Sequence, residues 1–343
     1  MTKKPRLVTV FGGSGFIGRH LVRRLARNGD RVRVAVRDTE KASFLKPMGD
    51  LGQISLVPAS ILDDDSVKRA VEGADAVVNL VGILAESGKA TFERMHVEGP
   101  ERIARLAKEA GVARMVQVSA LGASKDSDSV YAQTKARGEE AVRKHFPDAD
   151  ILRPSVVFGP EDQFFNMFAK IARLSPVLPF FTDDAPALKK DPSGRFQLDL
   201  VGGGGPKFQP VYVGDVAEAI MRLLDADAPT GQTFELGGDE VVSMRDIMKI
   251  VAHETRRRRA IVPLPMWVAD VEATFLQMLP KKILTRDQVR QLRKDNVVSG
   301  EFPGLKDLGI EPTTVEAIVP TYLTRFRSMH KQIILRNPSR GER

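Results

Sequence analysis

The 343-residue chain contains no cysteine. That excludes disulfide scaffolds, thiolate metal sites and cysteine nucleophiles, and it agrees with a reducing compartment. Histidine is scarce: the five residues stand at 20, 96, 145, 253 and 330, with no HxxxH or HxH spacing, so no metal site is expected. No apolar run approaches the ~18–20 residues of a transmembrane helix. Leu7 opens an apolar stretch after only Lys3, Lys4 and Arg6, so neither a secretory signal nor an Arg/Ser-rich presequence is expected, as in a bacterial or already processed protein. Tryptophan occurs once and tyrosine three times. Internal repeats and low-complexity tracts are not evident.

The net charge of +8 is unevenly spread. From His253 onward there are 17 Lys/Arg and 10 Asp/Glu, an excess of +7, which leaves +1 for residues 1–252. A near-neutral first three quarters argues against nucleic-acid binding along the chain. The basic quarter has the chemistry to face acidic proteins or phospholipid headgroups.

Residues 1–160 alternate short β-branched runs with helical periods. Strands are expected at Leu7–Phe11, Arg31–Val36, Ile54–Val57, Ala76–Val81, Arg114–Val118 and Ile151–Val157, and helices at Gly15–Asn28, Phe92–Ala110 and Tyr131–His145. Such alternation predicts an α/β fold, a Rossmann-type doubly wound parallel sheet, with a smaller, mostly helical C-terminal region. The expected division is a nucleotide-binding domain over 1–160, a substrate-type or docking region over 161–330 interleaved with it, and a basic tail over 331–343. Prolines and the Gly202–Gly205 run make 174–210 a region of loops and short strands. Ser243 is placed to cap a helix over Met244–His253, and the last 80 residues read as mostly helical.

The strongest motif is Gly12-Gly13-Ser14-Gly15-Phe16-Ile17-Gly18, between the first strand and the first helix. A pyrophosphate must approach the backbone closely. Gly12 permits the tight turn, Gly15 clears the place where phosphate oxygens dock, and Gly18 allows helix and strand to pack. The helix N-terminus supplies free N–H groups and a positive dipole end. About 20 residues further on, where NAD-preferring sites carry an acid, stands Arg37. A guanidinium there suits a 2′-phosphate, with Lys41 one turn later, so NADP(H) is expected over NAD. Asp38 is the competing acidic reader, and a solvated strand-end charge is the plainer alternative for Arg37.

Further landmarks follow in order: Asn79-Leu80-Val81-Gly82, Gln117-Val118-Ser119-Ala120, Tyr131-Ala-Gln-Thr-Lys135, Arg153–Pro160 and Gln209–Ala217. With the glycine loop they resemble the extended and atypical short-chain dehydrogenase/reductase superfamily. That resemblance implies a cofactor shell of Gly12, Ser14, Gly15, Phe16, Ile17, Gly18, Arg37, Lys41, Ser60, Ile61, Leu80, Val81, Gly82, Ser119, Tyr131, Lys135, Pro154 and Val157. Tyr131 and Lys135, four apart, share one helix face. An ammonium near the phenol favours phenolate, which makes Tyr131 a candidate acid/base and Lys135 a candidate holder of the nicotinamide ribose.

Several positions depart from active members. Ala120 and Leu121 follow Ser119 where a substrate-orienting hydroxyl is common, only 11 residues separate Ser119 from Tyr131, and His96 stands where many relatives have Asn. Ala59-Ser60 replaces a frequent Gly-Asp. The cofactor shell is thus better kept than the substrate shell, and Tyr131 and Lys135 are expected to be vestigial or cofactor-holding. The loop, Val118–Ala123, Ser129-Val130-Tyr131, Glu139–Arg143, His145-Phe146-Pro147, Ile151–Asp162 and Phe164-Phe165-Asn166 are similar to the SDR-type accessory-subunit family of respiratory complex I, to about residue 325. This implies bound NADPH with a structural role, other complex I subunits as partners, and a peripheral place on the cytoplasmic side of the inner membrane, or the matrix side in mitochondria. An active NADPH-dependent oxidoreductase or sugar-nucleotide epimerase, and an NADP(H)-sensing module, are the alternatives.

In the basic quarter, Arg256–Arg259 reads as a solvated turn or helix C-cap. Trp267, Val271, Phe275 and Met278 recur on one helix face. A core-facing stripe is the simplest expectation. The alternative is a docking surface, with Lys281, Lys282, Arg286, Arg290, Arg293 and Lys294 nearby and phospholipid headgroups as one partner.

Overall fold

A computed structural model describes residues 5–183, 187–190, 196–199, 202–277 and 284–327. The chain divides into two compact units. The first comprises Met1–Ser155, Val213–Gly237 and Val298–Pro312, and the second Val156–Tyr212, Gly238–Val297 and Thr313–Arg343. The expected boundary at residue 160 therefore lies at 155, and the first unit takes back two later segments.

The first unit is built on a seven-stranded parallel sheet: β1 (Leu7–Phe11), β2 (Arg31–Val36), β3 (Ile54–Pro58), β4 (Ala76–Asn79), β5 (Arg114–Val118), β6 (Asp150–Pro154) and the later strand Thr233–Leu236. The order is Thr233–Leu236, β6, β5, β4, β1, β2, β3. Val10 lies opposite Val34 of β2 and Val78 of β4. Helices cover both faces, so β1 is buried throughout and carries an apolar run rather than an alternation. Its one hydroxyl, on Thr9, donates to the Ala70 carbonyl at 2.8 Å. The order in which successive strands are added reverses between β1 and β4, the switch point at which open α/β sheets form a crevice beyond the strand ends.

Four helices of this unit bear on the site: α1 (Phe16–Arg27), α2 (Asp64–Val71), α3 (Gly99–Glu109) and α4 (Val130–His145). The Asp63 carboxylate caps α2 and the Ser129 hydroxyl caps α4. The helix expected over Phe92–Ala110 is present, and it enters α3 through a π-helical turn, Arg94–Glu98. It carries His96, and such turns re-aim side chains. Gly138 of α4 sits against the His96 carbonyl, where any Cβ would collide.

The second unit buries Phe158, Phe165, Phe180, Phe208 and Met248 among its helices. Tyr322 donates to the buried Asp162 carboxylate at 2.6 Å, and burial pushes both groups up. Ser243 caps Met244–Glu254 as expected. Ala260–Pro265 is a strand paired in parallel with Val177–Thr182, just ahead of the helices that dominate the described C-terminal residues. Pro263 and Pro265 hide it in the sequence, yet a two-stranded pair has a free edge where missing N–H groups are tolerated. The helix Met266–Leu276 also corrects the core-facing stripe. It buries Met266, Ala269 and Ala273, while Trp267 is 65% and Phe275 68% exposed, with Val271 also outward. Met278, Lys281, Lys282 and the tail 331–343 lie outside the described residues.

Candidate dinucleotide site

The glycine loop closes by backbone contact. Gly12 has φ +77°, and a Cβ there would lie 3.2 Å from the Leu80 carbonyl carbon, so the first loop meets the loop after β4. The Gly15 N–H donates to the Gly12 carbonyl at 3.0 Å, and Gly15 caps α1 with its α-carbon open to solvent. A Cβ on Gly18 would come within 2.5 Å of the Gly12 oxygen and the Gly13 α-carbon. Its contact is thus with the loop itself rather than with a strand. The glycine that admits β2 is Gly13, whose Cβ would stand 2.6 Å from Val34 Cγ1. Sequence reasoning gave Gly13 no role, although its place inside the motif was the available signal. Ser14, Phe16 and Ile17 are half-buried along the first turn.

At the end of β2, Arg37 is exposed and makes no ion pair or hydrogen bond among the described residues. Asp38 is engaged by Lys41, whose ammonium lies 2.8 Å and whose N–H 3.1 Å from its oxygens. Those bonds hold the Asp38 carboxyl below its ordinary range. Past β3, the Ser60 N–H donates to Ser66 Oγ at 3.0 Å and the Ser66 hydroxyl returns to the Ser60 carbonyl. Ile61 is core, packed against Gly99. The Ser60 Oγ accepts the Leu62 N–H at 3.3 Å, so of these two residues only the Ser60 hydroxyl proton is left to meet a ligand.

The ends of β4 and β5 are locked by a buried amide pair. Asn79 Nδ2 donates to Gln117 Oε1 at 2.8 Å, and Asn79 Oδ1 accepts the Val81 N–H at 3.1 Å. This fixes the path of Leu80, Val81 and Gly82. Gly82 is exposed, and a Cβ there would lie 3.2 Å from Lys135 Nζ. Lys135 is 7% exposed and makes no hydrogen bond among the described residues; its ammonium lies 5.8 Å from the Tyr131 ring centre. Burial lowers it to about 8, opposed by Glu139. Glu139 is itself held by Arg153 at 2.9 and 2.6 Å.

Burial also governs Tyr131, which is pushed up to about 12. The expected shift toward phenolate is therefore reversed, because the cost of burying the anion outweighs the nearby ammonium. Tyr131 stays a phenol near neutral pH, suited to donating a hydrogen bond rather than abstracting a proton. Phe92 and His96 meet its ring edge-on, with centres 5.8 and 5.2 Å away. His96 Nε2 accepts the Ile83 N–H at 3.1 Å, so Nδ1 carries the proton, toward Thr134 Oγ1 at 3.2 Å. Burial and Lys135 lower His96 to about 3, keeping it neutral.

Ser119, at the end of β5, is 5% exposed, and its Oγ has no hydrogen-bond partner among the described residues. An orphaned buried hydroxyl is costly unless a ligand completes it. The half-buried Ala120 and Leu121 bring no hydroxyl, and Ser124 and Ser127 are spent on the loop amides of Asp126 and Ser129. Pro154 ends β6 and accepts the Leu121 N–H at 3.0 Å. Val157 belongs to the second unit, paired with Val211.

A cradle closed to any Cβ, an open helix N-terminus, a buried ammonium without a hydrogen bond and an orphaned hydroxyl together fit a nicotinamide dinucleotide. Fold and site define a dinucleotide-binding α/β protein of the Rossmann type. The chain belongs to the NAD dependent epimerase/dehydratase family, the extended short-chain dehydrogenases, which it matches over residues 8–237. It is 34% identical over 333 residues to the mitochondrial NADH dehydrogenase (ubiquinone) 1 alpha subcomplex subunit 9 of Arabidopsis thaliana, covering 94% of this chain and 78% of that protein. The Mus musculus protein of the same name is 34% identical over 324 residues, covering 94% and 81%. Among solved structures, the dTDP-glucose 4,6-dehydratase DesIV of Streptomyces venezuelae, with NAD and TYD bound, superposes with a TM-score of 0.66 at 20% identity. It covers 93% of this chain and 96% of its own, a likeness of fold.

Proposed function

We propose that this chain is an NADP(H)-holding accessory subunit of a respiratory NADH:ubiquinone oxidoreductase, binding its nucleotide without obligatory turnover. The observation that carries the reading is the contrast between the two halves of the site. The nucleotide-holding half is complete: glycine cradle, free Arg37, buried Lys135 and orphaned Ser119. The reacting half lacks a second hydroxyl beside Ser119, where Ala120 and Leu121 stand. The relatives named as complex I subunits, similar along nearly the whole chain, support the same assignment.

NADP(H) is favoured over NAD(H) because Arg37 is available for a 2′-phosphate while the competing acid, Asp38, is neutralised by Lys41. When bound, the nucleotide would supply a hydride donor or acceptor. The chain's own residues bind and orient it: the α1 N-terminus meets the pyrophosphate, Lys135 the ribose hydroxyls, and Ser119 a polar group near the nicotinamide. The placement is peripheral, on the matrix side of the inner membrane in mitochondria or its cytoplasmic side in bacteria, with the other complex I subunits as partners. The relatives' mitochondrial names support the first setting, and no helix among the described residues is long and apolar enough to cross a membrane.

Affinity purification through a tag on this chain tests the reading. Iron–sulfur and quinone-site subunits should co-purify. Recovery of the chain alone, with carbonyl-dependent NADPH oxidation that Tyr131→Phe abolishes, would contradict it.

A further inference from the structure

Tyr131, Lys135 and Glu139 follow one another at four-residue intervals along one face of α4. Lys135 is 7% and Glu139 6% exposed, so the helix buries an ammonium and a carboxylate one turn apart. The two make no ion pair with each other among the described residues. Both oxygens of Glu139 are taken by Arg153 of β6, whose Nε and Nη2 donate at 2.9 and 2.6 Å. Arg153 Nη1 lies 3.9 Å from one oxygen of Glu235, in the edge strand Thr233–Leu236. The other oxygen of Glu235 accepts the N–H and the hydroxyl of Ser299 at 2.6 and 2.8 Å. Four largely buried charges thus alternate in sign, Lys135, Glu139, Arg153 and Glu235, and the row ends on neutral donors.

Stability alone does not call for such a row, since apolar side chains of similar volume commonly replace buried ion pairs with no loss. What the row provides is a negative charge one helical turn from Lys135. Arg153 does not cancel that charge alone, because Glu235 faces the same guanidinium. Burial favours a neutral amine and lowers Lys135 to about 8, and Glu139 opposes the burial. The other titratable groups around Lys135 are uncharged near neutral pH. His96, on the π-helical turn, is held at about 3 and Tyr131 at about 12. The loop after β4 brings the backbone of Gly82. Glu101 of α3 is engaged with Lys144 and His145 at the far end of α4. Glu139 is therefore the anion that acts on Lys135.

We propose that Glu139, held by Arg153, is a positioning residue of the dinucleotide site, whose carboxylate keeps Lys135 an ammonium for the ribose hydroxyls. The proposal rests on the dinucleotide reading of the site. Glu139 touches no nucleotide atom in this account; it acts through the lysine, and Arg153 acts through Glu139.

The test is the pH dependence of NADP⁺ binding by the full chain, followed by calorimetry from pH 6 to pH 8.5 for the native protein and Glu139→Gln. Taking the ratio of the two dissociation constants at each pH cancels the titration of the ligand. The ratio should be near one at pH 6, where both lysines are charged, and should rise to about tenfold at pH 8.5. Glu139→Asp, which keeps a carboxylate, should give a ratio that does not vary with pH. In a Lys135→Met background Glu139→Gln should change binding by less than about twofold, because the residue through which it acts is gone. Where circular dichroism shows Glu139→Gln unfolded, Glu139→Gln/Arg153→Met takes its place; it removes both members of the pair and should show the same rise with pH. A loss of affinity equal at every pH, or undiminished without Lys135, would make Glu139 merely structural and overturn the proposal while leaving the dinucleotide reading intact. A native chain that binds neither NADP⁺ nor NAD⁺ would overturn both.

Discussion

His96 Nε2 accepts the backbone N–H of Ile83 at 3.1 Å, so one imidazole pins the loop that follows β4. The same ring stacks on Phe92, with centres 5.3 Å apart, and meets the edge of Tyr131. His96 therefore positions the Gly82 loop and the tyrosine pocket, and it does so only while neutral.

A pH dependence follows. His96 is held at about 3 in the fold against an ordinary 6.5, so its contribution is complete above pH 6.5 and is lost as pH falls toward 3. The slope from this group approaches ~1.4 kcal/mol per pH unit in that window. In His96→Asn the window should flatten, with neutral-pH stability lower by ~1–3 kcal/mol through lost ring packing. Urea denaturation of both chains at pH 4.5 and 7.5 checks this. Parallel slopes would remove His96 from the account.

Lys135 should show the opposite balance of stability and function. Its folded value of about 8 lies below the ordinary 10.5, so this group adds stability as pH rises from 8 toward 10.5 and withholds it below 8. Lys135→Met removes the buried charge. The nucleotide-free variant should be more stable at pH 7 by ~1–3 kcal/mol while binding NADPH at least ~10-fold more weakly. Thermal melts with and without NADPH measure both effects. The pH comparison is best kept below 10, above which Tyr131 contributes with the reverse sign.

Arg37→Ala should weaken NADPH binding by roughly 10- to 100-fold, the worth of a charge-assisted hydrogen-bond pair, and NADH binding by less than about 3-fold. Asp38→Ala, which frees Lys41, should not weaken NADPH. Fluorescence titration of both nucleotides distinguishes the cases. Equal losses for the two nucleotides in Arg37→Ala would refute the assignment.

Gly13→Ala and Gly18→Ala should differ in kind. At Gly13 the obstacle is a side-chain methyl of Val34, and a few tenths of an ångström of repacking should limit the loss to ~1–3 kcal/mol. At Gly18 it is the backbone of Gly12 and Gly13, which cannot yield without reshaping the cradle. Gly18→Ala should therefore lose nucleotide binding as well as stability, as calorimetry with NADPH would show.

Much of the first unit was legible because its signals are local. Five of its strands were placed to within two residues at each end, and the glycine loop sits where a strand-to-helix motif must. The role of Gly13 was not legible, since it depends on Val34 in another strand. The π-helical turn at His96 leaves no mark on a helical period. Periodicity identified the Trp267, Val271 and Phe275 face but could not say which side of the helix is covered; Ala269 and Ala273 turned out to be the buried side. The reversed shift of Tyr131 has the same origin, because spacing reveals a neighbouring ammonium but not how deeply the phenol is buried.

The central claim is that the chain holds NADPH and does not spend it. The most direct test is to extract and weigh the nucleotide bound to the purified native assembly, before and after sustained turnover with NADH and a quinone. The account predicts about one NADPH per copy of this chain, unchanged in amount and redox state. Recovery of NAD, or conversion of the bound pool to NADP⁺ during turnover, would contradict it.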